Sequence, residues 1–320
     1  MDILTVLRSL GSVAVILVLV GLGIFVDKRN WFPGESWRGL GSLVVNIAMP
    51  CSAFYYIASP TDGFTRQSLA EAGLGMLAYG VMMLVIWLLA LGGAAVFKMD
   101  KNRRGTFAAM AAFSNTVFIG LPMTAMLFGD GAIKYAFMAF LPNTLLFWTV
   151  GVFAIRRDGE PGASFFSKGW YKRLLNPALA ATLLGLALVL LGIKPPTLLM
   201  QGVRTVSGMV SPVALIFCGI LLSRMGLKNL RIKTSQFAVM FFRFAASPVI
   251  TYLVLTAVGA GDMMTRVLIA QASMPVMSQT TIIAGLYHAD ADYAATGFML
   301  TTVASVVAMP VIMAIMDLVM

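Results

Sequence analysis

The sequence predicts an all-α integral membrane protein: ten transmembrane helices arranged as two inverted five-helix repeats, with broken, crossing helices 4 and 9. Three observations carry that prediction: an apolar composition, basic residues confined to alternate connections, and a polar-proline pattern that recurs half a chain later. The 320 residues are 59% hydrophobic and only 11% charged, whereas a soluble surface alone takes about a quarter of residues as charges. A span needs about 20 mostly apolar residues to cross roughly 30 Å of hydrocarbon, so the chain has room for about ten and none for a separate soluble domain.

Apolar runs bounded by charges place the spans at 3–26, 38–58, 67–97, 105–128, 132–155, 175–193, 199–223, 235–258, 264–287 and 293–316. The first has no small-residue cleavage site behind it and is too long for a signal peptide, so it reads as a span. Sixteen basic residues fall in the connections 1–2, 3–4, 5–6 and 7–8: Lys28, Arg29 and Arg38; Lys98, Lys101, Arg103 and Arg104; Arg156, Arg157, Lys168, Lys172 and Arg173; Arg224, Lys228, Arg231 and Lys233. Arg66, Lys134, Lys194, Arg204 and Arg266 are all that the other connections hold. With basic loops kept in the cytoplasm, both termini face outside, and the expected location is a bacterial inner membrane. The net charge of +10 is thereby accounted for as topology bias, which removes nucleic acid as a partner and leaves the lipid bilayer.

Ser114-Asn115-Thr116, followed by Leu127 to Asp130, has a counterpart in Ser273-Met274-Pro275, followed by Leu286 to Asp290, at an offset of 159 to 160 residues. Looser matches pair Leu141-Pro142-Asn143-Thr144 with Leu300-Thr301-Thr302, and Pro50 with Pro212. Two five-span halves follow, and because five is odd the second enters the membrane from the opposite side. Spans 4 and 9 each hold a proline inside a polar cluster: Ser114 to Pro122, and Ser273 to Thr281. Pro122 frees the carbonyl of Phe118 and Pro275 that of Gln271, and in lipid such groups need new partners. Asn115 lies 11 residues past Arg104 and Ser278 lies 12 past Arg266, which puts both interruptions near the midplane. Either break alone reads as an ordinary proline kink; the pair at related positions reads as a crossed, unwound site offering helix N-termini to an anion and free carbonyls to a cation.

None of the 13 acids falls at mid-depth, which counts against paired-aspartate proton antiporters, intramembrane aspartyl proteases and prenyl-transfer enzymes. Cys51 and Cys218 stand alone in apolar runs and His288 is the single histidine, so neither a disulfide framework nor a metal site is expected. No cofactor and no enzymatic activity are expected either. Arg243, 10 residues past Lys233, is either a substrate counter-ion or a side chain snorkelling to the interface; for Arg8, near the chain start, snorkelling is the better reading. His288 reads as a solvated loop residue, with Asp290 and Asp292 capping the last span. Asn46, before Pro50, together with Ser207 and Ser211 before Pro212, either lines the site or packs helices.

Asn115 to Pro122, the Asn46-x3-Pro50 of span 2 and the stretch Pro275 to Ser305 resemble the auxin efflux carrier family, in particular its short prokaryotic, malate- or malonate-permease-like members. The resemblance covers the whole chain in span count, short central loop and the last 60 residues. It implies a scaffold of spans 1, 2, 6 and 7 (residues 1–60 and 175–225) that dimerises, and a mobile transport unit of the other six (64–157 and 234–320), joined by a cytoplasmic linker at 158–174. It also implies a small organic anion as substrate, mono- or dicarboxylate, with Na+ or H+ coupling left open. The expected substrate-binding residues are Asn46, Ser52, Asn115, Thr116, Gly120, Pro122, Arg243, Ser273, Pro275, Ser278 and Gln279. Met274 stands at the repeat position of Asn115, so the site is not expected to be symmetric. A sodium-coupled symporter resembling the bile-acid transporters is the alternative carrier, and a membrane-embedded enzyme the alternative from another class.

Overall fold

The computed structural model describes residues 3–61, 63–96, 99–163, 177–225 and 232–320, and for 3–14, 16, 71 and 225 the backbone alone. Most of the expected 158–174 linker therefore lies outside the described residues, as do Asp2, Asp62, Lys98, Lys168, Lys172, Arg173, Lys228, Arg231 and the side chains of Arg8 and Glu71.

The described residues are all helical, with no strand. Helix α1 runs Ile3–Lys28, α2 Arg38–Ala58 and α3 Arg66–Val96. Span 4 divides into α4, Arg104–Ala112, and α5, Thr116–Phe128. Then come α6, Asp130–Gly159, α7, Pro177–Leu191, α8, Thr197–Arg224, and α9, Thr234–Ala257. Span 9 divides into α10, Asp262–Ala272, and α11, Gln279–Leu286, before α12, Ala291–Val319. By length and apolar character α2, α3, α6, α8, α9 and α12 can each cross a membrane. Large apolar side chains such as Leu77, Leu88, Leu198, Phe241 and Val307 point outward on them, as the bilayer as solvent requires.

Among the described residues four helices contain a widened turn with i to i+5 bonding, at Val44–Ala48, Thr116–Gly120, Phe147–Gly151 and Phe242–Ala246. Three of them, all but Phe147–Gly151, end two residues before a proline: Pro50, Pro122 and Pro248. The physical cause is shared, because a proline ring crowds the carbonyl four residues back and cannot donate to it, and widening the turn relieves both faults. At these three prolines α2, α5 and α9 continue as helix.

Glycines set the closest helix contacts. A Cβ on Gly23 of α1 would stand 2.2 Å from the Ile216 carbonyl of α8, near Gly219, and one on Gly219 would stand 2.1 Å from the Val20 carbonyl. In the pairing of α7 with α2, a Cβ on Gly185 would stand 3.1 Å from Ile57 Cγ2 and 3.8 Å from the Phe54 carbonyl. Gly185, Ile216 and Gly219 lie 162 residues beyond Gly23, Phe54 and Ile57, the same spacing that separates Pro50 from Pro212. Gly219→Ala puts a methyl group on backbone, not on a side chain that can turn away, so α1 and α8 must separate. It is expected to cost about 1–3 kcal/mol, read as a lower unfolding midpoint in detergent, whereas Gly202→Ala, with nothing within 4 Å, leaves the midpoint unchanged or raises it.

At the end of the bundle where basic residues gather, polar contacts fall into two sets. Arg224 of α8 pairs with Asp27 at 2.6 Å and donates to the carbonyls of Phe32, at 2.7 Å, and Gly34, tying α1 and its connection to α8. On the other side Asp290 accepts from Arg103 at 2.5 Å, lies 3.6 Å from Lys233 and caps α12 through the Tyr293 amide at 2.9 Å. Burial pushes the Asp290 pKa up, but the Tyr293 amide and the two cations outweigh it and hold the carboxyl below the usual range. Asp158, ending α6, caps α4 by accepting from the Gly105 and Thr106 amides at 2.9 and 2.6 Å. Among the described residues every ion pair stays within α1, α2, α7, α8 and their connections, or within α3–α6 and α9–α12.

Candidate substrate site

The two broken spans meet back to back. Ser114 and Val276 form a single antiparallel bridge, in which the Asn115 amide donates to the Pro275 carbonyl at 2.9 Å and the Met277 amide to that of Phe113 at 3.4 Å. Each unwound strand is also gripped from one side. Asn143 of α6 accepts from the Ser114 amide at 3.0 Å and donates to its carbonyl at 3.2 Å, and Thr301 of α12 accepts from the Val276 amide at 3.0 Å. The backbone groups that the breaks release are thus satisfied inside the protein, as the hydrocarbon depth demands.

Arg243 completes this arrangement. Carried by the widened turn of α9, it is fully buried, and its Nε donates to the Met274 carbonyl at 2.9 Å and one terminal nitrogen to the Ala111 carbonyl at 3.0 Å. The other terminal nitrogen donates to the Ala272 carbonyl and the Ser114 hydroxyl. Ala111 and Ala272 are the C-terminal turns of α4 and α10, so one guanidinium sits on the negative ends of two half-helices. No carboxylate pairs with it among the described residues. The two alternatives read from the sequence are both corrected: Arg243 does not snorkel, being enclosed at the crossing, and it does not line the cavity, its donors being spent on backbone.

The positive ends of the other two half-helices are left facing open space. A cavity of about 540 Å³ lies between α2 and α8 on one side and the crossing on the other, lined by Ser42, Asn46, Phe118, Phe217, Ser278 and Gln279 among others, with Arg38 and Arg224 at its basic mouth. No acid lines it. Phe118 stacks on Phe217 at 5.0 Å and Trp37 on Phe217 at 5.4 Å, forming an aromatic wall across the two helix sets. A void of about 10 Å³, bordered by the same Phe118, Ser278 and Gln279, reaches Asn115 and Thr116 at the start of α5.

Polar atoms without partners gather here. Asn115 uses its side-chain oxygen to cap α5 through the Phe118 amide at 3.2 Å, but its Nδ2 is buried and unpartnered, as are Thr116 Oγ1, Gln279 Oε1, Thr280 Oγ1 and Thr281 Oγ1. Buried polar groups are normally satisfied, so such a concentration at two helix N-termini makes this the candidate site.

Of the residues expected from sequence, Asn46, Ser278 and Gln279 line the cavity and Asn115 and Thr116 line the void beside it. Pro275 lies in the break of span 9, whereas Pro122 lies in α5 after its widened turn and beyond the break at 113–115, and a Cβ on Gly120 would strike the Gln271 amide at 2.4 Å. Ser273 is corrected to a structural role, since its hydroxyl donates to the Ile269 carbonyl at 2.8 Å; Ser52 is buried in α2 and lines neither space. Ser42, Phe118, Phe217 and Thr281 were not singled out. Ser42 is one helical turn before Asn46 and Phe118 lies inside the Asn115 to Pro122 motif, whereas nothing local marks Phe217.

The family described as membrane transport protein matches residues 9–313. The chain belongs to that family, the auxin efflux carriers. This membrane transport protein is similar to an uncharacterized transporter of Methanocaldococcus jannaschii, 26% identical over 304 residues that take in 91% of this chain and 93% of the relative. It is also similar to one of Methanothermobacter thermautotrophicus, 24% identical over 310 residues, 94% of this chain and 96% of the relative. The uncharacterized transporter YfdV of Escherichia coli is 22% identical over 194 residues, 58% of this chain and 60% of the relative. The chain is accordingly a multi-pass membrane protein of a transporter family, which is not an enzyme class.

Proposed function

We propose that the protein is a secondary carrier of small organic anions, mono- or dicarboxylates such as malate or malonate, working by alternating access in a bacterial inner membrane with both termini outside. One observation carries the anion: at the crossing a single arginine covers the negative ends of two half-helices while the two positive ends, with unpartnered donors Asn115 Nδ2 and Thr116 Oγ1, border the cavity. A carboxylate supplies what they lack.

The two-unit division supports the movement. The cavity separates α2 and α8 from α5, α11 and α12, and the wall between the two sets is aromatic stacking, which can be broken and remade at other positions at little electrostatic cost. Ion pairs hold each set together internally, as an elevator-like shift of α3–α6 and α9–α12 against α1, α2, α7 and α8 needs. The 162-residue recurrence of the glycine contacts supports two inverted five-helix repeats, the architecture that makes outward- and inward-open states near images of each other.

The test is uptake of radiolabelled malonate, malate and acetate into liposomes holding only this protein, with counterflow to show exchange. Accumulation and counterflow of at least one carboxylate are expected, with Asn46→Ala raising KM several-fold through loss of a cavity hydrogen bond. Uptake confined to cations or neutral solutes sinks the anion assignment. Replacing sodium by potassium in the same assay separates a sodium-coupled symporter from the other modes.

A further inference from the structure

A second, smaller pocket lies in the α2–α7–α8 set at the end opposite the basic mouth. It has about 260 Å³ and is lined by Tyr55, Ser59, Thr61, Met200, Gln201 and Arg204 with neighbouring prolines. The Arg204 guanidinium stands over the Tyr55 ring, 5.7 Å from its centre, and the Ser59 and Thr61 hydroxyls lie 3.2 Å apart. Its described lining holds one cation and no acid.

Its position is not arbitrary. The spacing of 162 residues that relates Pro50 to Pro212 and Gly23 to Gly185 also relates the two linings. The large cavity takes Arg38 and Ser42 from the first half of α2 and Phe217 and Leu221 from the second half of α8. The small pocket takes Met200 and Arg204 from the first half of α8, Tyr55 from the second half of α2 and Ser59 from just past its end. Each of these four pairs, Arg38 with Met200, Ser42 with Arg204, Tyr55 with Phe217 and Ser59 with Leu221, is separated by 162. The aromatic of one end thus answers the aromatic of the other, while the charge has moved: the large cavity has its arginines at the mouth, and the small pocket carries its own on the helix turn that holds Ser42 in the large one.

Resting on the carrier reading with inverted repeats, we propose that this pocket is the fixed half of the outward-facing site, an anion port in which Arg204 receives the substrate carboxylate, beside Gln201, when the mobile set stands at the outer end. Tyr55 supplies the aromatic wall there, as Phe217 does at the inner end. Arg204 is exposed and Tyr55 and Ser59 are buried, so the port is a cation held over an already formed floor. Because guanidinium binds carboxylate at two points, the port favours a carboxylate over a halide.

The test uses Gln201→Cys in a Cys51→Ala/Cys218→Ala background, in right-side-out membrane vesicles, with malonate, malate and acetate as probes. An impermeant maleimide added outside is expected to label this cysteine, and Ser42→Cys in the same background only from the inner side. A transported carboxylate at about ten times its half-protecting concentration slows the labelling of Gln201→Cys about tenfold, and Arg204→Gln abolishes that protection while Arg204→Lys restores part of it. No labelling from outside, labelling that no transported carboxylate slows, or protection that survives Arg204→Gln overturns the port. Uptake of a carboxylate without protection overturns the port and leaves the carrier standing, whereas no uptake of any carboxylate by the unaltered chain overturns both.

Discussion

Arg243→Gln is expected to lower the unfolding free energy by about 2–6 kcal/mol, the desolvation penalty of about 1–3 kcal/mol for each of at least two buried acceptors left without a donor. The guanidinium donates to Met274, Ala111, Ala272 and Ser114, and glutamine keeps at most two of those bonds. The carbonyls left behind lie at the C-terminal ends of α4 and α10, out of reach of water, where each unsatisfied group carries its own desolvation penalty. Arg243→Lys restores the charge opposite the two helix ends but not the fork, so its midpoint falls between the other two. Thermal unfolding in detergent at equal protein concentration reads this order. Transport reads the second half of the prediction: because Arg243 does not line the cavity, whatever activity survives falls equally for mono- and dicarboxylates. A loss that grows with substrate charge would restore Arg243 as a counter-ion, and an unchanged midpoint in the glutamine variant would remove it from the crossing.

Asn115 carries the second large effect, and two variants separate its two duties. Its oxygen caps α5 and its Nδ2 is unpartnered at the void. Asn115→Ala removes both groups and is expected to weaken substrate binding by about 1–3 kcal/mol, roughly a five- to hundredfold rise in KM, along with about 1 kcal/mol of stability from the lost cap. Asn115→Ser keeps a capping oxygen and removes the amide donor, so the unfolding midpoint recovers while KM stays high. The check is carboxylate uptake and detergent unfolding measured on the same preparations. If the serine variant binds substrate like the unaltered chain, the amide is no ligand and Asn115 serves the fold alone.

The helices were legible from sequence because the rule that writes them is local. A segment in hydrocarbon must satisfy its own backbone and turn apolar side chains outward, so composition and bounding charges place α2, α3, α6, α9 and α12 within a few residues of their observed ends. The break in span 9 was legible for the same reason, since Pro275 lies in it, and that in span 4 from the polar Ser114-Asn115-Thr116 cluster, Pro122 marking only the widened turn that follows. Among the residues those local signals mark, Asn46, Ser278 and Gln279 line the cavity and Asn115 and Thr116 the void beside it. What could not be read were the partners across the fold. Arg243 looks the same in sequence whether it snorkels, meets a substrate or covers two helix ends, and only the meeting of α4, α9 and α10 chooses. Phe217 carries no local mark, and its part in the wall comes from the approach of α8 to α5. Sequence alone thus determined the helices, the breaks and the polar positions near the midplane, which follow from each segment's own exchange with lipid. Only the tertiary structure decided which charge neutralises which helix end and which side chains are left without a partner, because those depend on distances between segments that no local rule contains.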